Sequence, residues 1–171
     1  RAEDHLLQED WIDALVRTLR SSTVPVYVTD GADGVAADLA AMAVARVVGR
    51  TVEFDFASEP DQPAALECLV RRATLGDAGI VVRSAESATV PGLLDRLAAL
   101  QRVTVVCARE QWEPERSRVI PLALEAPMLT AEQRGALWRS ALDGVQLSSD
   151  PAEAAISYRL TPRHIERAAQ A

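Results

Sequence analysis

The stretch that decides the fold is Val24-Pro25-Val26-Tyr27-Val28-Thr29-Asp30-Gly31-Ala32-Asp33-Gly34-Val35-Ala36-Ala37-Asp38. Its first six residues are rich in β-branched side chains and predict a strand, and its two glycines predict a turn. The alanine-rich segment from Val35 to Val48 stops at Gly49 and predicts a helix. A strand that passes through glycines directly into a helix is typical of the opening unit of a parallel α/β sheet.

The alternation of strands and helices continues along the chain. Further strands are predicted at 51–56, 79–82, 103–107 and 119–124, and further helices at 3–19, 63–74, 91–100 and 130–142. The first, third and fourth strands are nearly continuous apolar runs, as expected for strands that are covered on both faces. The second strand alternates and the fifth contains Pro121, and both features favour a sheet edge. We therefore expect a five-stranded parallel α/β sheet in three layers, with strands two and five outermost.

Three parts of the chain are predicted: an N-terminal helix in 1–22, an α/β core in 23–127 and a small helical lid in 128–171. The lid opens with the capping-box signature Thr130-Ala131-Glu132-Gln133. Further lid helices are predicted after Asp150-Pro151 and after Thr161-Pro162. Because the chain starts without methionine and ends in a helical pattern, we expect a piece of a longer cytoplasmic protein.

The composition excludes several kinds of chemistry. The chain has 171 residues and a net charge of −7, and each of its 18 basic residues is an arginine. Without lysine there is no Schiff-base chemistry, and the acidic balance argues against a nucleic-acid surface. Cys68 and Cys107 fit no metal or redox spacing and are predicted to be buried thiols. No apolar run is long enough for a membrane span, so we expect no metal, no nucleic acid and no membrane.

The loop after the first strand can be aligned with the Walker A motif, G-x-x-x-x-G-K-[ST]. In that motif backbone N–H groups wrap phosphate, the lysine neutralises charge and the hydroxyl holds Mg²⁺. Aligned from Gly31, the second glycine is replaced by Ala36, the lysine by Ala37 and the hydroxyl residue by Asp38, while Gly34 lies inside the loop. The loop geometry of the motif is therefore expected, but its chemical groups are missing.

Three carboxylates, Asp30, Asp33 and Asp38, surround the start of the helix that follows this loop. A carboxylate at about 4 Å from a phosphate charge costs about 4 kcal/mol at an effective dielectric constant near 20. We expect one of these carboxylates to cap the helix itself in place of an anion. A capped helix start that never bound a ligand fits the isolated loop equally well.

Two pairs of segments carry a family resemblance: 119–122 before 132–138, and 158–162 before 165–168. Together with the five strands and the helical lid, they resemble a bacterial AAA+ ATPase domain, a P-loop NTPase fold, over nearly the whole chain. They are similar to the strand-five, lid-entry and lid-end segments of tandem AAA+ proteins common in actinobacteria. The resemblance implies ATP and Mg²⁺ as cofactors of the wider family. It also implies as partners other domains of the same protein, AAA+-type proteins, or further copies of the chain.

The chain departs from that family at its second signature. Walker B needs an apolar strand followed by Asp-Glu, but residues 80–82 are followed by Arg83 and Ser84. Glu86, slightly farther on, is interpreted as a helix-approach or surface carboxylate. The polar sensor expected near the end of strand four is matched only by Cys107.

Two arginines, Arg116 and Arg118, precede strand five, where the family places its arginine fingers. A role toward a neighbouring subunit and a solvated arginine pair both stay open.

The sequence therefore predicts a non-catalytic module, a pseudo-ATPase with a degenerate Walker A loop. No catalytic residue and no bound cofactor are expected, and the former phosphate-loop positions are Gly31, Gly34, Ala36, Ala37 and Asp38. Its expected role is as a regulatory, scaffolding or docking domain of a larger ATPase.

Two alternatives stay open. In the first, the chain is part of an ATP-hydrolysing AAA+ protein whose activity lies in another domain. In the second, it is an NAD(P)-binding Rossmann-like domain, with Thr29–Ala36 as the dinucleotide turn and Asp55 as the ribose-binding acid. The short-chain dehydrogenases with that turn also use a Tyr-x-x-x-Lys pair, which a chain without lysine lacks.

Overall fold

The computed structural model describes residues 2–31 and 34–141, and in these ranges helices and strands alternate as the hydrophobic pattern requires. The helices are α1 (Ala2–Ser21), α2 (Ala36–Val48), α3 (Gln62–Gly76), α4 (Leu93–Ala98) and α5 (Ala131–Ala141). The strands are β1 (Val26–Thr29), β2 (Thr51–Asp55), β3 (Gly79–Arg83), β4 (Thr104–Ala108) and β5 (Leu122–Glu125). Three short 3₁₀ turns occupy Phe56–Ser58, Ala85–Ser87 and Pro114–Arg116.

The five strands form one parallel sheet in the order β2-β3-β4-β1-β5. The expectation that strands two and five lie at the edges is therefore confirmed. In the centre, Val28 of β1 is in register with Cys107 of β4 on one side and with Leu124 of β5 on the other. Because the strands are parallel, all their carboxyl ends lie at the same end of the sheet. The connections that leave the strands there bring distant parts of the chain together.

Helices cover both faces of this sheet, so the three-layer architecture is confirmed. Alternate side chains of a strand point to opposite faces. Val81 and Val105 pack with α1 and α2 on one face, which we call the α2 face. Ile80 and Val82 pack with α3 and α4 on the other. The central strands are apolar on both faces for this reason.

Helix α1 packs into the same core, a point that the sequence left open. Its buried residues are Ile12, Leu15, Val16 and Leu19, which join the cluster that α2 forms on the sheet. The Trp11 indole N–H donates to the Glu125 carbonyl of β5 at 2.9 Å. Arg46 of α2 pairs with Glu9 at 2.8 Å and with Asp13 at 3.1 Å. The division into N-terminal helix, core and lid stays a prediction.

Strand β5 starts later than the apolar run suggested, at residue 122 instead of 119. Side chains take both backbone groups of Val119: its N–H donates to Asp95, and its carbonyl accepts from the Ser117 hydroxyl. Pro121 has no N–H to offer. The prediction of a strand from 119 is therefore wrong at its start.

Helix α4 is also shorter than predicted. Gly92, at its N-cap, has φ +63° in the left-handed region. The chain leaves the helix through Gln101, which also has a positive φ.

The start of α5 confirms the predicted capping box. The Gln133 backbone N–H donates to the Thr130 hydroxyl at 3.2 Å, and the Gln133 side-chain oxygen accepts the Thr130 N–H at 2.8 Å. The remaining lid segments, predicted after residues 150 and 161, lie outside the described residues.

Candidate functional site at the carboxyl end of the sheet

The connection between β1 and α2 is held at both ends by Asp30. Its backbone N–H donates to the Ala108 carbonyl at 2.7 Å, which extends the pairing of β1 with β4. Its carboxylate accepts the N–H of Ala36, the first residue of α2, at 3.3 Å. The first turn of a helix has N–H groups without intrahelical partners and favours negative charge. Asp30 thus supplies the expected helix-capping carboxylate, whereas Asp33 lies outside the described residues.

The Asp30 carboxyl group is also partly buried, and burial raises its pKa. The hydrogen bond from Ala36 and the nearby charge of Arg109 act in the opposite direction but do not cancel the effect of burial.

The two glycines of the loop have separate roles. Gly34 has φ +62°, which glycine adopts without strain, and its N–H donates to the Gly31 carbonyl at 3.2 Å. A Cβ on Gly31 would lie 3.5 Å from Cγ of Met128, so the segment after β5 packs closely against the backbone of this loop. Gly34 is therefore tied to Gly31 by a backbone hydrogen bond, and Met128 lies beside Gly31.

The positions aligned with the second glycine and the lysine, Ala36 and Ala37, are buried in the cluster formed by α1, α2 and the sheet. Ala37 is only 4 % exposed. A methyl group that packs into the core contributes neither charge nor hydrogen bonds to the carboxyl end of the sheet.

Asp38, aligned with the hydroxyl residue, meets the guanidinium of Arg83 from the end of β3. Arg83 Nη2 lies 2.5 Å from Asp38 Oδ1 and 2.5 Å from Glu53 Oε2 of β2. Arg83 Nε also donates to Glu53 Oε2 at 2.9 Å. One guanidinium therefore joins α2, β2 and β3, and we call these three side chains the Arg83 cluster.

The Arg83 side chain is 22 % exposed, about half as exposed as Glu53 at 43 % and less than half as exposed as Asp38 at 53 %. Burial lowers the pKa of this guanidinium, but the hydrogen bonds to Asp38 and Glu53 outweigh burial and raise the pKa above its ordinary value. Arg83 is therefore held as a cation.

Glu86 follows β3 in a 3₁₀ turn, and its carboxylate accepts the backbone N–H of Arg109 at 3.1 Å. It therefore tethers the end of β4. The intervening Ser84 has φ +51°, a conformation that non-glycine residues rarely adopt.

Gln62, at the start of α3, is a site residue that the sequence did not indicate. Its amide donates to the Phe56 carbonyl at 3.2 Å and to the Ser87 carbonyl at 2.8 Å. Its side-chain oxygen accepts from the N–H and the hydroxyl of Thr89 at 2.7 and 2.9 Å. Buried Gln62 thus joins the connections after β2 and β3. Its partners lie up to 27 residues away, so no local pattern marks it.

Cys107, at the end of β4, is buried beside this site. Burial, followed by the nearby charge of Asp30, raises the pKa of its thiol far above the ordinary value. It therefore stays a neutral thiol at physiological pH. The expectation that Cys68 is also buried is wrong: Cys68 is exposed on α3, since the apolar stripe of that helix runs through Leu66 and Leu69.

The segment before β5 has a fixed backbone. The N–H groups of Arg118 and Val119 both donate to the Asp95 carboxylate of α4. The Trp112 indole donates to Ser117. Arg116 lies in the preceding 3₁₀ turn, and the Arg118 side chain is exposed. An exposed arginine on a fixed backbone suits a role toward a neighbouring subunit and a solvated residue equally well.

Within residues 2–31 and 34–141, no group of three or more histidine, cysteine or acidic side chains is arranged to hold a metal ion. None of the helices in these ranges is long and apolar enough to cross a membrane.

Comparison with solved structures places this arrangement among known folds. A replication initiator, DnaA bound to AMPPCP and single-stranded DNA, superposes with a TM-score of 0.55 at 11 % identity, covering 96 % of this chain and 59 % of that one. PCH-2 from C. elegans gives 0.57 at 10 % identity, covering 94 % and 61 %. A DNA replication initiation factor gives 0.58 at 13 % identity, covering 98 % and 60 %.

No protein-family model and no curated protein sequence matches the chain. The chain spans about three fifths of the length of these structural neighbours. At 10 to 13 % identity the likeness concerns the fold. The fold that these structures share with the chain is an α/β fold of the P-loop NTPase-like kind, with a five-stranded parallel sheet and helices on both faces.

Proposed function

We propose that this chain is a AAA+-like module that neither binds nor hydrolyses magnesium nucleotide. We further propose that it serves as a regulatory, scaffolding or docking domain of a larger, cytoplasmic ATPase. The observation that carries the proposal is the Arg83 cluster. A guanidinium stands at the end of β3, where Walker B would supply a metal-binding acid, and it pairs with Asp38, where Walker A would supply a metal-binding hydroxyl.

The residues at this site do not fit a magnesium nucleotide. A polyphosphate needs cations and free N–H groups at the start of the helix. Here Ala37 is a buried methyl group, the N–H of Ala36 is taken by Asp30, and Arg83 is committed to two carboxylates. A phosphate beside Asp30 and Asp38 would also meet two negative charges.

Two observations support a docking role. The backbone of residues 117–119 is held by Asp95 and Ser117 while Arg118 stays exposed, so the segment is pre-organised. The chain also spans only about 60 % of the length of its structural neighbours, which leaves room for other domains of the same protein as partners, alongside AAA+-type proteins or further copies of the chain.

The test is a titration of the chain with Mg-ATP, Mg-ADP and Mg-AMPPCP up to millimolar concentration. We expect no saturable heat by calorimetry and no shift in Tm. A nucleotide bound at 100 times its Kd would add about 2.7 kcal/mol of stability, or a Tm shift on the order of 5–10 °C for a chain of this size. Magnesium pyrophosphate is the control for non-specific anion effects. A saturable shift with ATP that pyrophosphate does not reproduce would contradict the proposal.

An alternative is that a longer protein hydrolyses ATP through another, intact domain. This alternative is compatible with a site that binds no nucleotide in the described part of this chain. The check is whether G-x-x-x-x-G-K-[ST] occurs elsewhere in the same gene.

The strand order argues against the Rossmann-like alternative. In the order 3-2-1-4-5-6 the first strand lies between strands two and four, whereas here β1 lies between β4 and β5. Asp55, the proposed ribose ligand, instead accepts hydrogen bonds from the Ala57 N–H and the Ser58 hydroxyl.

A further inference from the structure

We propose that Arg83 acts as a built-in cation, which fixes the first turn of α2 to β2 and β3 without any ligand. This proposal deepens the proposed function. It rests on that function in one respect, because it assumes that the site works without a magnesium nucleotide. In this view the position of the start of α2 is set by side chains of the chain itself.

Two carboxylates converge on one nitrogen atom of Arg83. Asp38 Oδ1 and Glu53 Oε2 each lie 2.5 Å from Arg83 Nη2, so these two oxygens are at most about 5 Å apart. Two anionic oxygens at that separation repel each other strongly unless a cation lies between them. Charge-assisted contacts of this kind are stronger than neutral hydrogen bonds.

The position of Arg83 on β3 explains why its side chain reaches both Asp38 and Glu53. Arg83 and Val81 are two residues apart on β3 and therefore point to the same face, and Val81 packs on the α2 face. In the register of the sheet, Arg83 lies opposite Asp55 of β2, two residues after Glu53. Arg83 thus lies diagonally across from Glu53 and below the first turn of α2, which carries Asp38.

Two side chains hold the start of α2 in place. The start of α2 is held from β1 by Asp30, which accepts the Ala36 N–H, and from β3 by Arg83, which binds Asp38. Gly31 and Gly34, which are joined by a backbone hydrogen bond, lie between the two anchoring residues along the chain. Both anchors are side chains of this chain, so the start of α2 needs no phosphate or metal to stay in place.

The experiment compares backbone hydrogen exchange in residues 35–41 between the native chain and Arg83→Ala. Arg102→Ala is the matched control, because the Arg102 side chain is also 22 % exposed and pairs with a carboxylate, Asp77, at 2.8 Å. Arg102 precedes β4 and so lies toward the amino ends of the strands, away from the start of α2. We expect exchange in residues 35–41 to rise about tenfold in Arg83→Ala, corresponding to about 1.4 kcal/mol, and to stay unchanged in Arg102→Ala.

Chemical rescue tests the charge directly. Guanidinium chloride at about 10 mM, far below denaturing concentrations, should restore part of the lost protection in Arg83→Ala, whereas potassium chloride at equal ionic strength should not. Arg83→Met keeps an unbranched side chain about as long as the aliphatic part of arginine, but it has no charge. It should show the same local loss, and it carries the exchange test if Arg83→Ala does not fold.

Unchanged exchange in the Arg83 variants, or an equal rise in Arg102→Ala, would overturn the proposal. Rescue by potassium as effective as that by guanidinium would do the same. These results are independent of the nucleotide titration. Binding of Mg-ATP to the native chain would refute the proposed function and, with it, the statement that this site works without a ligand, whereas unchanged exchange in the Arg83 variants would refute the role of Arg83 alone.

Discussion

At the scale of single residues, the carboxyl end of the sheet is controlled by side chains that satisfy one another. Asp30 caps α2, Glu86 tethers β4, and Arg83 neutralises two acids. Each of these groups would be available to a ligand if its partner were absent. The polar groups at this edge therefore serve the fold in the described part of the chain.

Asp30 gives a pH-dependent prediction at this scale. Because burial raises the pKa of its carboxyl group in the folded chain, the folded state binds the proton more tightly than the unfolded state. Stability contributed by this group therefore falls as pH rises from about 3.8, the ordinary pKa, through the raised value. In Asp30→Asn an amide oxygen still accepts the Ala36 N–H, and the ionisation is lost.

We expect Asp30→Asn to become more stable relative to the native chain as pH rises through that window. Urea unfolding at pH 4, 5, 6 and 7 measures the difference. Arg109 and Asp38, the charged groups that act on Asp30, stay in place in both proteins. A difference in stability that is constant with pH, or that increasingly favours the native chain as pH rises, would contradict a raised pKa of Asp30 in the folded chain.

At the scale of elements, close contacts between helix and strand determine which residues are allowed. Gly79 opens β3, and a Cβ there would lie 2.3 Å from Cγ1 of Val44 and 3.0 Å from Cγ2 of Val48 on α2. Its N–H also donates to the Arg50 carbonyl at 2.9 Å. In sequence this glycine resembles an ordinary turn residue, but in the fold it lets α2 lie against β3.

We expect Gly79→Ala to destabilise the chain by about 1–3 kcal/mol, the usual cost of overpacking. The double variant Gly79→Ala/Val44→Ala should recover part of that loss relative to the sum of the single changes. Gly76→Ala is the matched control, because a Cβ there meets no atom closer than 4.0 Å. Denaturant unfolding of the native chain, the two single variants, the double variant and the control measures these differences, and simple additivity would contradict the proposed contact.

The elements also show how much of the fold could be predicted. The strand order at the edges followed from burial patterns, since edge strands alternate and central ones do not. The start of β5 did not follow, because Asp95 and Ser117 take the backbone groups of Val119 from outside the strand. The role of Gln62 was also missed, because its hydrogen bonds depend on which carbonyl groups the folded loops bring close to its side chain.

At the scale of the whole molecule, the net charge of the chain bears on whether it binds nucleic acid. The fold is shared with a DnaA structure bound to single-stranded DNA, but this chain carries a net charge of −7. Phosphate binding depends on clustered positive charge. The fold alone therefore does not carry nucleic-acid binding over to this chain.

We expect labelled single-stranded DNA to bind more weakly than about 10⁻⁴ M at 150 mM salt, the weak end of ordinary non-specific binding. Fluorescence anisotropy, repeated at 50 mM salt, measures this affinity. An Arg118→Ala variant controls for contacts made by the exposed arginine segment. Saturable micromolar binding that weakens with added salt would show that the arginines form a functional surface despite the overall charge.

The sequence by itself determined the parallel α/β class, the edge strands, the capping box of α5 and the absence of lysine at position 37. These follow from local periodicity and residue identity, which do not depend on distant contacts. Only the tertiary structure decided that Arg83 lies between Asp38 and Glu53, that Asp30 rather than Asp38 caps α2, and that α1 joins the core. Such contacts depend on strand register and on the direction of each side chain, which bring Arg83 to acids that lie 30 and 45 positions away along the chain.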